Sequence, residues 1–394
     1  MNRNHLIPPL RERLARFPPP LENYFGVVPF PPAEDAIILG DAAPEHHAAM
    51  QALGRADALS QQYPFHFLLS RVLVRKEAVA SSDIEGTHST LDALLEVEET
   101  SEEDASEADL LVRDYAIALE AAISDVEVNG FNAFTIHTVE KLHRALMRHD
   151  KDYVKRHGPA GEFRRKPVRI GGRDFNDSTY NPPPHADVLA CMAEHIAYLR
   201  CEGMQQLHQS IIVQMAVAHA HFEAVHPFAD GNGRVGRLLL PLMLRAAGHT
   251  PLYLAPYIAA FKQDYYAALR AAQQRLDFVP LVAHLSRAIS NTVTDAESAV
   301  RRLKDLQTTW TQRKKFRNKS AAQKMLGQLP WHPVVTAKSV ERLAGCSPAA
   351  ARTALTQLAE AGILSERTGK LRYRIFQARD VLRIYNHPEG ENGD

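Results

Sequence analysis

Residues 226–237 read HPFADGNGRVGR. The types and order of these residues suit one kind of chemistry. Gly231 and Gly233 let the backbone come close to a ligand. They stand just before a segment of helical period, so free N–H groups point out of a helix N-terminus toward an anion. Arg234 and Arg237 add permanent charge on forks that match phosphate oxygens. This density of donors fits two or more phosphates better than one. Asp230 would repel phosphate by itself, and makes sense there if Mg²⁺ bridges the two. His226, at the loop entrance, has an ordinary pKa that lets it accept a proton near neutrality. Together they point to phosphoryl-type transfer from a nucleotide: a base for an incoming hydroxyl, a metal, and a cradle for the leaving phosphates. No GKS or GKT follows the glycines, so the loop is not a P-loop.

Helices must position this loop. Apolar residues recur at helical spacing from His46 to about Ile123 and through NAFTIHTVEKLHRALM (132–147). Helical period returns around 185–201 and 207–224, then from Arg234 to Ala247, where Gly248 is a natural stop. The acidic run EVEETSEEDASEAD (96–109) reads as a helix end, a loop and a new start. GPAGEFRRKPVRIGGRDF carries short β signals and reads as a hairpin that YNPPPH then ends. Residues 1 to about 45 are Pro-rich and are expected to wrap the surface without a core of their own. The fold class is therefore mostly α.

The 394 residues carry 46 Lys+Arg and 46 Asp+Glu, so the formal net charge is zero. The distribution is lopsided: from residue 301 onward 18 basic residues face 8 acidic ones. A basic C-terminal module suits an anionic partner. Three cysteines without CxxC spacing argue against a disulfide framework or a zinc site and for a reducing, cytoplasmic setting. No secretory signal opens the chain, and no apolar run is long enough to span a bilayer, so no membrane partner is expected. After residue 326 the rhythm changes. A short helix at 338–344, a GCSP turn with Ser347 as N-cap, a helix over 347–361, and strands at Ile363–Leu364 and LRYRIF form a winged helix-turn-helix pattern. Its Arg352, Thr353, Thr356 and Gln357, with Arg367, Lys370, Arg372 and Arg374 on the wing, suit duplex DNA; dimer packing or protein contact is the other use of such a module.

HPFADGNGRVGR resembles the signature of the Fic family, HPFx(D/E)GNGRxGR, at every defining position. The resemblance implies an all-helical core with a β-hairpin flap. It also implies transfer of AMP from ATP to a Ser, Thr or Tyr hydroxyl of a target protein, or of the chain itself. Carried over by position, His226 is the general base and Phe228 packs inward to hold the loop. Asp230 holds Mg²⁺. Gly231, Asn232 and Gly233 bind the α- and β-phosphates, and Arg234 and Arg237 bind phosphate, Arg237 the γ-phosphate. GEFRRKPVRIGG (161–172) with TYNPPP (179–184) is similar to the family's flap, which docks a target segment as an added strand; Arg169, Ile170 and Gly171 fall on it. QDYYAAL (263–269) resembles the segment whose tyrosines, here Tyr265 and Tyr266, flank adenine. Two departures stand out. Many relatives have Trp where Arg169 stands, and a WEPW-like stretch where this chain reads LDFVPLV (276–282).

SSDIEG (81–86) reads as a helix end. Gly86 is a natural stop. A carboxylate at Glu85 faces the wrong end of the helix dipole, at a cost of roughly a few tenths of a kcal/mol unless a cation pairs with it. Ser81-x-x-x-Glu85-Gly86 is similar to the Fic inhibitory motif. The resemblance implies that Glu85 pairs with Arg237 and denies it to the γ-phosphate. Expected domains are 1–110, a helical region carrying the inhibitory helix; 111–300, the catalytic core; 301–325, a basic connector; and 326–394, the winged helix. Relatives imply a homodimer, and removal of AMP is a related activity. The alternatives are a DNA-binding regulator whose core senses nucleotide, and a transferase using another nucleotide donor.

Overall fold

The computed structural model describes residues 1–62, 71–100, 105–202, 209–367 and 374–387. Chain entry is by a short helix, α1 (Pro8–Glu12), and a hairpin of β1 (Leu14–Arg16) and β2 (Phe25–Val27), with Leu14 opposite Val27. The expectation of a coreless wrap is corrected here. Leu6, Leu10 and Val27 bury themselves against Tyr180 and Ala224 in a small cluster of their own. Burying those side chains fastens the entry segment to the end of the site's central helix.

The main body is helical. α2 (Ala43–Gln62), α3 (Arg71–Ile84), α4 (Leu91–Val97) and α5 (Glu107–Asn129) form its first part. α6 (Ile136–Leu146), α7 (Lys151–His157), α8 (Val188–Leu199), α9 (Ile211–Val225) and α10 (Asn232–Ala246) follow, then α11 (Ala255–Ala260), α12 (Lys262–Arg275) and α13 (Val279–Arg313). Side chains of Thr90, Ser106, Thr135, Asp150 and Ser210 accept first-turn N–H groups and fix where α4, α5, α6, α7 and α9 begin. Every residue of α9 is buried, as befits a helix at the centre of a bundle. α10 packs on it. Pro241 sits inside α10; lacking an N–H, it leaves the Arg237 carbonyl without its usual helix donor.

α13 runs 35 residues without a break, packs along α2, and passes straight through residue 300. One continuous cluster of buried residues extends from Ala49 to Tyr385, so the C-terminal elements share the main core. These are α14 (Ala321–Gln328), β3 (Val334–Val335), α15 (Ala337–Ala344), α16 (Pro348–Glu360), β4 (Ser365–Glu366), β5 (Phe376–Gln377) and α17 (Arg379–Asn386). The three strands form an antiparallel sheet in the order β3-β5-β4. Ser347 caps α16 and Pro348 opens it, as expected. β4 lies two residues later than the strand expected at Ile363–Leu364, and both of those residues are buried in the core. Lys370 and Arg372 lie outside the described residues.

This module rests on α3 and α4. Lys76 Nζ donates to the Tyr385 carbonyl at 2.7 Å. Thr336 Oγ1 donates to Glu99 at 3.2 Å, and Arg367 pairs with Glu96 at 3.1 Å. No helix among the described residues is long and apolar enough to cross a membrane.

Trp310, near the end of α13, is fully buried. Trp310→Ala is expected to cost about 3–5 kcal/mol of unfolding free energy in a denaturant titration. A loss of about 0.5 kcal/mol or less would instead mark an exposed position.

Candidate active site

α9 ends at His226, whose backbone is left-handed (φ +49) and whose N–H bonds to the Phe222 carbonyl. Few non-glycine residues adopt that conformation, and its strain must be supported from outside. Arg164 supplies the support. It is buried, and its Nε donates to the His226 carbonyl at 2.8 Å. One Nη donates to the carbonyls of Pro183 at 2.7 Å and Val225 at 3.2 Å. Its own N–H donates to the Pro227 carbonyl. A cation on the last carbonyls also complements the helix dipole. Burial pushes the Arg164 pKa down to about 10, so the guanidinium stays charged.

The following loop is held from below. The Phe228 ring is fully buried and stacks on His143, centroid to centroid 3.8 Å, with Phe163 5.4 Å away. The inward anchor expected of Phe228 is therefore present. His143 Nδ1 accepts from the Gly161 N–H, which leaves Nε2–H to donate to the Asp230 carbonyl at 3.1 Å. Burial pushes its pKa down to about 4, in keeping with that neutral form. The Asn232 side chain is spent on the loop itself: its oxygen accepts from Phe228 N–H at 2.8 Å and its amide donates to the Phe228 carbonyl at 2.9 Å. The Asn232 side chain is thus engaged within the loop.

Gly231, at φ +77, turns the chain into α10. A Cβ on Gly233 would lie 2.2 Å from Glu85 Oε1 and 2.9 Å from Arg237 Nη1. The Glu85 carboxylate therefore rests on bare backbone in the first turn of α10, where a helix N-terminus favours negative charge. Arg237, 1% exposed, closes the arrangement. Its Nε donates to Ser81 Oγ at 3.0 Å, and Nη2 donates to the Ser81 carbonyl at 2.8 Å and to Glu85 Oε1 at 2.7 Å. Ser81 lies in the last turn of α3 and Glu85 directly follows its last residue, Ile84, so both reach the same guanidinium. Gly86, at φ +85, ends that helix, and Lys262 Nζ donates to the Ile84 carbonyl at 2.6 Å. The carboxylate on the wrong end of one dipole is thus offset by two cations and the right end of another. Burial opposes ionisation of Glu85, but Arg237, with Arg234 and His226, outweighs it and holds the carboxyl below its usual pKa.

His226 is about one-fifth exposed. Burial, reinforced by Arg164, pushes its pKa down to about 4, so the imidazole is neutral at pH 7 and free to accept a proton. Asp230 is exposed, and its Oδ1 accepts the Gly231 N–H at 2.6 Å. An exposed carboxylate beside a helix N-terminus with two buried arginines fits Mg²⁺ that arrives with nucleotide phosphates. Arg234 is buried against the sulfur of Met147.

Two expectations change. The flap is one bridge, not a hairpin ladder: Ile170 and Tyr180 exchange both backbone bonds, at 2.9 and 3.2 Å. Gly171 and Gly172, at φ +65 and +68, turn the chain away directly after Ile170, and Pro182–Pro184 end pairing beyond Tyr180. Arg169 is exposed beside it. The tyrosine pair also divides. Tyr265 is buried, with its hydroxyl 2.6 Å from His219 Nε2, while Tyr266 is half-buried near Lys262. Only Tyr266 offers an accessible ring.

A profile of the Fic/DOC family matches residues 133–244, and one of the Fic/DOC family N-terminal region matches residues 43–124. The chain belongs to the Fic family. Protein adenylyltransferase Fic of Drosophila erecta is 31% identical over 159 residues, 40% of this chain and 28% of that protein. Its counterpart in Culex quinquefasciatus is 29% identical over 180 residues, 45% and 32% of the two chains. The matched stretch thus spans less than a third of these relatives. A crystal structure of a Fic family protein from Desulfovibrio desulfuricans G20 superposes with a TM-score of 0.55 at 21% identity, covering 89% of this chain and 98% of that one. That likeness establishes the fold.

Sequence reasoning missed Arg164, His143 and Glu223. The first stood in the flap's basic run and the others in helical segments, with no spacing signal of their own. The Glu85–Arg237 pair has a pH signature. The folded pKa of Glu85 lies below its unfolded value of about 4.3, so the stabilisation is present above that pH and lost as pH falls through the lower folded value. Urea unfolding of the parent and Glu85→Gln should therefore differ at pH 6 and converge only as pH falls through that lower folded value. A difference that persists unchanged at low pH would contradict the ion pair.

Proposed function

We propose that this Fic protein is a self-inhibited adenylyltransferase that moves AMP from ATP to a Ser, Thr or Tyr hydroxyl of a target protein. The observation that carries this reading is the Glu85 carboxylate lying over Gly233 and on Arg237 at the N-terminus of α10. It occupies the space and the charge that a nucleotide's terminal phosphate would use.

In the released state α3 withdraws Glu85. The α10 N–H groups, Arg234 and Arg237 then take the phosphates. Asp230 would hold Mg²⁺ together with those phosphates, and the ion when bound would supply charge neutralisation. His226, neutral and facing the loop entrance, takes the proton of the target hydroxyl. The oxygen bonds to the α-phosphorus as the bond to the β-phosphate's bridging oxygen breaks, and diphosphate leaves. The target's backbone pairs beside Ile170, whose bridge leaves the rest of the flap edge open. Relatives with the adenylyltransferase activity support the donor assignment.

With α-labelled ATP and Mg²⁺, Glu85→Gly is expected to raise label incorporation into protein by at least tenfold over the parent. Adding His226→Ala should abolish that gain while ATP binding persists. Unlabelled Glu85→Gly protein, with its own hydroxyls and a cell extract as acceptors, would overturn the assignment.

A second reading takes the C-terminal module as a winged helix, which its α-β-α-α-β-β order supports. Lys314, Lys315, Arg317, Lys319 and Lys324 line a groove whose α16 wall carries Thr353 and Gln357, with no acidic residue among its lining. That composition suits a duplex phosphate backbone. Binding to a mixed-sequence DNA duplex should weaken steeply with salt. Replacing Lys315, Arg317 and Lys319 by Ala should flatten the log–log slope by about 2–3. No binding at low salt would remove DNA as the partner.

A further inference from the structure

His226 needs one imidazole nitrogen free to take a proton, so the other must hold the hydrogen. That nitrogen, Nδ1, is buried and has no hydrogen-bond partner among the described residues. One helical turn earlier Glu223 presents the same problem: its Oε1 is buried and equally unpartnered. Its other oxygen, Oε2, lies 3.7 Å from His226 Nδ1. Buried polar groups without partners are rare, and two complementary ones side by side call for an explanation.

The packing explains why the carboxyl stays there. A Cβ on Gly236 would lie 2.6 Å from Glu223 Oε1 and 3.2 Å from both His219 Cε1 and Phe222 Cδ1. Glu223 is thus wedged between α9 and the glycine of α10 that opens room for it. The last glycine of the signature thereby makes room for this carboxyl.

We propose that Glu223 is a positioning residue that accepts the His226 Nδ1–H and so presents Nε2 to the incoming hydroxyl. The 3.7 Å separation is the resting distance, and such contacts tighten when substrate closes the site. Burial keeps both groups neutral here, Glu223 near 8 and His226 near 4. Arg237 favours the ionised form of Glu223 and Glu85 opposes it. Withdrawal of Glu85 therefore strengthens Glu223 as an acceptor, which ties release of α3 to orientation of the base. The competing acceptor is the Glu223 backbone carbonyl, which also faces the imidazole.

The proposal rests on His226 being the base, but its main readout does not require activity. In ¹⁵N-histidine-labelled Glu85→Gly protein, the His226 signals are assigned by their loss in His226→Ala. The expected tautomer has the hydrogen on Nδ1. Glu223→Gln should keep it, because the amide oxygen accepts the same hydrogen. Glu223→Met should give a tautomer mixture and lower kcat for AMP transfer about tenfold or more, with KM for ATP unchanged. An Nε2–H tautomer in the starting protein would overturn the proposal even if Glu223→Met fails to fold. So would a folded Glu223→Met protein with unchanged tautomer and kcat, which would assign the task to the backbone carbonyl. Absence of AMP transfer in Glu85→Gly itself would instead sink the functional reading, while the tautomer still decides the place of Glu223.

Discussion

A guanidinium that cannot lose its charge sits almost wholly buried at Arg237. Burying a charge is costly unless it is paired and hydrogen-bonded. Arg237 meets that demand with Ser81 Oγ, the Ser81 carbonyl and Glu85. The demand ties α3 to α10 across 152 positions of sequence. Removing Glu85 would leave the buried Arg237 charge with Ser81 alone, a destabilising change. A ligand that brings its own negative charge is the natural replacement for Glu85. Under the proposed function, the same demand that makes this arrangement stable is what would let phosphate exchange for Glu85.

A second buried arginine does a different task. Arg164 binds four carbonyls and no carboxylate, and thereby holds the left-handed turn at His226. One cation shapes the loop that carries the proposed base, and the other holds the anion site beside it. His143 and Phe228 support the loop between them, so Gly231 and Gly233 expose backbone on a rigid base. The C-terminal module leans on α3 and α4 through Lys76, Glu96 and Glu99, which places it against the helix that carries Glu85.

The loop's place at the N-terminus of α10 was legible in the sequence because its residues are contiguous and their types are hard to replace. The pairing of Glu85 with Arg237 was legible through its resemblance to a known motif and the odd placement of an acid at a helix C-terminus. Arg164, His143 and Glu223 were not legible. A buried polar residue announces itself through its partners, and those are remote in sequence. The flap's antiparallel pairing is present but short: β-prone residues fix local preference, while Gly171, Gly172 and the prolines decide how far pairing extends. The tyrosine pair was over-read for a related reason: adjacent helical residues point about 100° apart, so Tyr265 and Tyr266 cannot share one environment.

The central claim is that Glu85 and a γ-phosphate compete for Arg237. Calorimetric affinities for Mg-ATP and Mg-ADP, in the parent and in Glu85→Gly, test it most directly. With Glu85 present the two nucleotides should bind alike. Without it ATP should gain over ADP by about tenfold or more, the worth of a hydrogen bond to a charged group. The same ATP-to-ADP ratio in both proteins would contradict the account.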